Sequence, residues 1–377
     1  MAVRHVGLNL VFLVPGETGG MEVVARELIP ALVAAAAPAT RFTAFVNREA
    51  AGEPGAPWTE LVPSVTVPVN AGNRVQWVRG EQQLLPGLAR RAGVDVLHSL
   101  ASTAPARGHF RRVVTVHDLI YLVFPEAHGG LRARGMRALV PLGVRRSHRV
   151  TADSLSTRDD LVARLRVPGE KIDVVPLGVG STRIEPSPET DLRARLDLGH
   201  RRVALSASAK RAHKNLVRLL EALALLPEDN RPVLVLPGYT TEHEAELRER
   251  ARVLSIEGDV RFVGWLAAAD LEGLYALADV FVFPSLYEGF GLPVLEAMAR
   301  DLPVASSDRS ALAEVAGDAA LLFDPESPRA IADAMATLLT DPAEARRRRA
   351  AGRHQAARFT WDATARGMLS SYERALA

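Results

Sequence analysis

The chain of 377 residues contains no cysteine, which excludes disulfides and thiolate metal sites and fits a cytoplasmic protein. No run approaches the ~18 apolar residues of a membrane-spanning helix. The stretch Arg4–Val14 is apolar enough for a signal peptide. It flows into Gly16 and a helical pattern without a small-residue cleavage site, so it reads as a first buried strand. Aspartates never occur as Asp-x-Asp, and His109, His117 and His128 are too scattered for a metal site, so no metal is expected. The basic groups lack interleaved aromatics, which argues against nucleic acid as a partner. Lysine is scarce as well. Of 46 basic residues only Lys171, Lys210 and Lys214 are lysines, and two of those share one short segment. An ammonium is a compact point charge that a guanidinium fork does not mimic, so a phosphate site is one reason to keep it there.

The net charge of +2 hides an asymmetry. Residues 1–180 carry 21 basic and 15 acidic side chains, and residues 181–377 carry 25 and 29. A basic first half suits an anionic acceptor or a phospholipid surface, and Leu131–Arg149 is its most basic amphipathic stretch, interrupted by Pro141 and two glycines. Arg346–Arg349 reads as the solvated face of a helix.

The length allows two domains. Apolar strand-like runs alternate with helical patterns, which predicts parallel sheets wrapped by helices. The first series is Val6–Val14, Phe42–Val46, Val65–Val69, Val94–His98, Val113–His117, His148–Ala152 and Ile172–Pro176, with helices at Met21–Ala36 and Arg79–Ala92 among others. Residues 180–190 are rich in turn formers and read as a linker. The second series is Val203–Ser206, Val233–Leu236, Val260–Val263, Val280–Pro284, Pro303–Ser306 and Ala320–Phe323, and the chain closes on an amphipathic helix from Thr360.

The most informative segment is Glu288-Gly-Phe-Gly-Leu-Pro-Val-Leu-Glu296, where the strand-like Asp279–Ser285 hands over to a helix. Ligands of open α/β sheets bind outside the carboxyl ends of strands. Gly289 and Gly291 admit a ligand close to the backbone, and the helix start offers N–H groups, including that of Leu292, to an anion. Glu288 and Glu296 would repel a bare phosphate. They suit hydroxyls at either end of a diphosphate held between them. Ahead of the helix Leu216–Leu226, Lys210, Arg211 and Lys214 put three cations on one loop, as a diphosphate site requires. Gly16-Glu-Thr-Gly-Gly-Met21 follows the first strand, and its glycine pair Gly19 and Gly20 can meet a phosphate or a sugar. His117 ends one strand and His98 its neighbour, both candidates to line a site.

The sequence Pro284-Ser-x-x-Glu-Gly-Phe-Gly-x-Pro-x-x-Glu-Ala297 resembles the signature of retaining glycosyltransferase family 4. Val116-His-Asp-Leu119, His213-Lys-Asn215, the glycine pair and the closing helix fall in the same order as in that family. The resemblance implies an α/β GT-B fold of two facing Rossmann-like domains with a cleft between them. Residues 1–180 with 362–377 would form the acceptor side, and 190–361 the donor-binding side. It further implies a metal-independent hexosyltransferase without a cofactor, using a GDP-, dTDP- or UDP-sugar and a glycan, lipid-linked or small-molecule acceptor. Peripheral contact with an anionic membrane at the inner face of the cell membrane goes with a lipid-linked acceptor. Mannose and deoxysugars such as rhamnose are the sugars that the likeness to bacterial mannosyl- and rhamnosyltransferases favours. By the same resemblance His117 sits beside the transferred sugar, Lys214 contacts the diphosphate, and Phe290 lies in the donor loop. Family members often carry Gly-Arg or Gly-Asn where this chain has Ser208-Ala209, so either Lys210 or Arg211 supplies the missing charge. A GT-B nucleotide-sugar epimerase and a non-catalytic nucleotide-sugar-binding protein are the alternative readings.

Overall fold

The computed structural model describes residues 5–125, 131–180 and 184–377, with the backbone alone at 131–134. The chain divides into two compact units. One runs to Gly178 and includes Phe359–Ala377, and the other is Val179–Arg358. In the first unit the strands are β1 (His5–Leu10), β2 (Arg41–Val46), β3 (Ser64–Thr66), β4 (Val96–Ser99), β5 (Arg111–Val116), β6 (Arg149–Ala152) and β7 (Ile172–Val174). They form one parallel sheet in the order β3-β2-β1-β4-β5-β6-β7. In the second unit β8 (Val203–Leu205), β9 (Val233–Leu236), β10 (Val260–Phe262), β11 (Val280–Phe283), β12 (Val304–Ser307) and β13 (Leu321–Phe323) form a parallel sheet ordered β10-β9-β8-β11-β12-β13. The predicted strands all occur, with most of their bounds shifted by one to a few residues. Their apolar runs lack alternation because helices cover both faces, and β1, β4, β9 and β11 are buried at every position.

The strand order reverses between β1 and β4 and again between β8 and β11. Connections leave a reversal in opposite directions, and each opens a crevice at the carboxyl edge of its own sheet.

One expectation needs correction, and two others gain detail. The helix expected over Arg79–Ala92 is instead Arg74–Arg79, a π-helical turn Gly80–Leu84, and Leu85–Ala92. The wide turn brings Glu81 inward, where it accepts from Asn9 Nδ2 at 3.0 Å and Thr103 Oγ1 at 2.9 Å. The expected linker 180–190 follows directly on the boundary between the units, and its residues 184–188 carry no regular structure. Residues 181–183 lie outside the described residues, but Ser187 donates to Ala269 O through its backbone (2.9 Å) and to Asp270 through its hydroxyl (2.6 Å), and the helix Glu189–Arg195 follows. Finally, Leu131–Arg149 has one face that is apolar and covered, while Arg137, Arg145 and Arg146 stay exposed. It forms the helix Leu131–Arg146, and Val140 and Val144 are buried in the core beside β5 and β6.

The last helix, Trp361–Leu376, packs against the helix Gly20–Ala35 and strands β4–β6. Thr364 Oγ1 donates to Pro176 O (2.7 Å) and Ser371 Oγ to Asp173 (2.5 Å). Gly178 makes this packing possible, because a Cβ there would sit 2.3 Å from the backbone N of Trp361. Among the described residues no helix is long and apolar enough to cross a membrane.

Candidate active site

In the second unit, two loops leave the reversal between β8 and β11, and the motif His213-Lys-Asn215 joins them. Asn215 adopts a left-handed conformation (φ 59°), which Asn tolerates better than most residues. Its Nδ2 donates to Pro284 O (3.0 Å) and Pro325 O (2.7 Å). His213 O accepts from the Leu286 N–H (2.9 Å) and from Ser285 Oγ (3.2 Å). The residues either side of Lys214 therefore clamp the β8 loop to the β11 loop, and Lys214 is the one that reaches out. Its Nζ lies 2.5 Å from Glu288 Oε1 and 5.3 Å from the centre of the Phe283 ring, with both charged side chains largely covered.

The Glu288 N–H donates to Ser310 Oγ at 2.8 Å, so a serine from the loop after β12 holds the motif's first residue. Gly291 has φ 108° and begins the helix Leu292–Ala299, whose start no side chain caps. A Cβ at Gly291 would lie 2.6 Å from Leu312 Cδ2. Gly291→Ala is therefore expected to cost at least about 2 kcal/mol from backbone strain and overpacking. Gly20→Ala, where a Cβ meets open space, should leave stability nearly unchanged. Thermal denaturation of both variants checks this.

Other predicted residues divide. Glu296 accepts from Tyr275 OH at 3.1 Å, and burial raises its carboxyl, opposed by the charge of Arg300 and by the tyrosine bond. Phe290 is buried, so its side chain belongs to the core of the loop. Lys210 is a correction. Its side chain is fully buried, and Nζ donates to Val263 O (2.7 Å) and Gly238 O (2.9 Å) with Glu244 3.7 Å away. Burial lowers its pKa against the pull of Glu244. It ties the β8 loop to the ends of β9 and β10 and has no ammonium to offer a phosphate. The half-buried Arg211 makes no side-chain hydrogen bond or ion pair among the described residues, so it is the open cation of the two.

In the first unit, the glycine loop leaves β1. Gly19 has φ 67° and precedes the helix Gly20–Ala35, whose start also lacks a side-chain cap. A Cβ at Gly19 or Gly20 would meet nothing within 4 Å, so the loop surface is open. His117 follows β5, and its ring is fully engaged: Nδ1 to Asp153 Oδ2 at 2.6 Å and Nε2 to Leu100 O at 2.8 Å. Burial works to lower its pKa, but the charge of Asp153, its hydrogen bond and the Leu100 carbonyl raise it to about 9. An acceptor at each ring nitrogen suits the imidazolium form, in which both nitrogens donate. His98 is a second correction: completely buried, it bonds Tyr372 OH (2.8 Å) and Thr115 Oγ1 (2.7 Å), and burial drives its pKa to about 3. It is a neutral core residue and lines no site.

Sequence reasoning missed Ser310, Tyr275 and Asp153. A signal existed for Asp153. Val116 on β5 pairs with Ala152 on β6, so His117 and Asp153 emerge side by side.

Comparison with known proteins gives these features a family. Residues 189–355 match the model described as "Glycosyl transferases group 1", and residues 18–183 match "Glycosyltransferase Family 4". The chain is 32% identical over 267 residues to the O-antigen chain mannosyltransferase B of Escherichia coli, covering 70% of each protein. In structure it is similar to the sucrose-phosphate synthase of Thermosynechococcus elongatus (TM-score 0.79, 22% identity, 98% of both chains covered). It is also similar to Alr3699/HepE of Anabaena, solved with UDP and glucose (TM-score 0.74, 18% identity, 98% of this chain and 100% of that one). With its two parallel, Rossmann-like units and its Glu288–Glu296 motif, the chain belongs to glycosyltransferase family 4 and is a glycosyltransferase of the GT-B fold.

Proposed function

We propose that the chain is a retaining transferase that moves a hexose from a nucleoside-diphosphate sugar to a glycan, lipid-linked or small-molecule acceptor. The observation that carries this reading is the Lys214–Glu288 pair at the β8/β11 reversal, beside an uncapped helix start. Each partner holds the other until a donor arrives. The diphosphate then takes the ammonium of Lys214, with Arg211 and the backbone N–H groups from Gly289 to Leu292 around it. Glu288, released from its cation, accepts hydrogen bonds from the sugar hydroxyls, and Glu296 those of the ribose.

As the bond from the anomeric carbon to the diphosphate oxygen breaks, negative charge grows on the leaving group where the cations sit. The acceptor oxygen bonds to the same face of that carbon, and the departing diphosphate oxygen takes its proton. A double displacement needs two carboxylates about 5 Å apart around the anomeric carbon, a pairing that the eight-residue spacing of Glu288 and Glu296 does not suit. Glu288 is bound to Lys214, and Glu296 to Tyr275. His117, with both ring nitrogens engaged by Asp153 and the Leu100 carbonyl, is not assigned as the base. It contributes a fixed positive charge at the end of β5.

Mannose leads among the donor sugars because the O-antigen relative is named a mannosyltransferase. A deoxysugar such as rhamnose follows. GDP, dTDP and UDP are the bases to try, UDP being the nucleotide in the HepE structure. A lipid-linked acceptor would place the enzyme at an anionic membrane surface. The test offers GDP-mannose, dTDP-rhamnose and UDP-glucose with a mixed acceptor panel and reads the anomeric configuration of the product by NMR. Transfer with retention is expected. Inversion would overturn the mechanism, and isomerised donor without transfer would point to an epimerase.

A further inference from the structure

We propose that the amino-terminal edge of the first unit's sheet is a docking face for an anionic phospholipid surface. This rests on the peripheral membrane contact named above and is independent of the transfer chemistry.

In a parallel sheet all strands begin at one edge, and each preceding helix ends there. In the first unit that edge gathers Arg41 at the start of β2, Arg91 before β4, Arg111 at the start of β5, Arg145 and Arg146 before β6, and Arg166 before β7. All six are exposed, and none makes an ion pair or side-chain hydrogen bond with a described residue. Facing them are Asp95, which accepts from the His5 N–H (3.0 Å), and the exposed Glu170 and Glu373. Behind them, Arg112 and Lys171 are committed to carbonyl oxygens of the helix that ends at Arg146. Burial and then neighbouring cations lower the pKa of both, and His148 beside them falls to about 4.

The second unit serves as an internal control. At the same edge of the same kind of sheet, Arg201 and Arg231 share Asp259, Arg261 meets Asp197, and Arg353 meets Asp301. The architecture can neutralise its edge arginines, as it also does in the first unit where Arg149 and Arg374 meet Asp173, but it leaves these six without a partner among the described residues. Helix dipoles explain part of the pattern, since cations favour helix C-termini. They do not explain Arg41 and Arg111, which begin strands.

The geometry points to a surface as the partner. From β2 to β7 the edge crosses five strand spacings, about 24 Å. Beside Arg41 lies an exposed apolar turn, Ala37-Pro-Ala39, with Val33 also exposed on the helix before it. Cations flanking a shallow apolar turn suit lipid headgroups over acyl chains. No exposed aromatic stands among the six arginines to stack a nucleic-acid base.

The test is co-sedimentation of the full chain with phosphatidylcholine vesicles, with and without about 30% phosphatidylglycerol, in ~0.05 M salt and again at higher salt. Salt-sensitive binding to the anionic vesicles alone is expected. Arg111→Glu/Arg145→Glu/Arg146→Glu should weaken it roughly a hundredfold, and the same three positions as Lys should keep it within a few-fold. Arg→Gln at these positions gives the same reading should the Glu variant melt early. No binding by the wild type, equal binding by the Glu variant, or tighter binding to duplex DNA than to the vesicles would each overturn the proposal.

Discussion

Lys214→Ala is expected to lower kcat by about 10²–10³, with a smaller change in donor affinity. The reason is where the ammonium sits. It lies 2.5 Å from Glu288 before any donor binds, so part of its attraction for an incoming diphosphate is offset by the pair it must leave. Its full effect appears when charge builds on the leaving group, and that effect belongs to the transition state. Removing the ammonium also leaves Glu288 without its cation in a site only 14% exposed on that side chain. Glu288→Gln in the Lys214→Ala background should therefore cost much less than Glu288→Gln alone. The double-mutant cycle would show strong non-additivity. Steady-state kinetics on the four proteins decides it. Turnover within threefold of wild type in Lys214→Ala would remove Lys214 from the reaction.

The second large effect is on stability. His117 has a folded pKa of about 9 against an ordinary value near 6.5. A raised histidine contributes stability that is fully present below the unfolded pKa and lost as pH rises through the folded one. The window therefore runs from about pH 6.5 to about pH 9. Asp153→Asn removes the charge that sustains the shift. At pH 6 this variant should be less stable than wild type by up to about 3 kcal/mol, and the gap should narrow steadily toward pH 9.5. Melting temperatures across that range check the sign. A gap that stays constant with pH would show that Asp153 acts by packing alone and that His117 is not charged.

Much of the architecture was legible because parallel strands covered on both faces leave uninterrupted apolar runs, as Val280–Phe283 does. Boundaries shifted where a run continues past its ladder: Val11–Val14 is apolar, yet it belongs to the loop that carries the glycines. The π-turn at Gly80 was invisible because a single extra residue leaves the helical apolar pattern nearly intact. The two histidines show the same limit at a site. Each looks like a strand-terminal residue, but His98 lies within the β4 ladder, opposite Val113, and His117 lies one residue past β5. That offset buries one under Tyr372, from 274 positions away, and places the other beside Asp153. Lys210 and Lys214 present the same problem, since charge on a loop reveals nothing of which side chain turns inward. The motif Glu288–Glu296 was readable because its chemistry is local, within one loop and two helical turns. Ser310 was not, because it arrives from another strand's loop.

The return of the last helix sets the order in which the protein can be made. As the chain is synthesised, Val179–Arg358 is complete before the final nineteen residues of the first unit, Phe359–Ala377, have been added. Until then the nascent first unit lacks Tyr372 for His98, Ser371 for Asp173 and Thr364 for the carbonyl of Pro176. The amino-terminal sheet must therefore wait, with an apolar helix face open, while the later half folds. Such long-range closure is slow and exposed to misassembly, and the half of the chain translated first is the last to reach its native state.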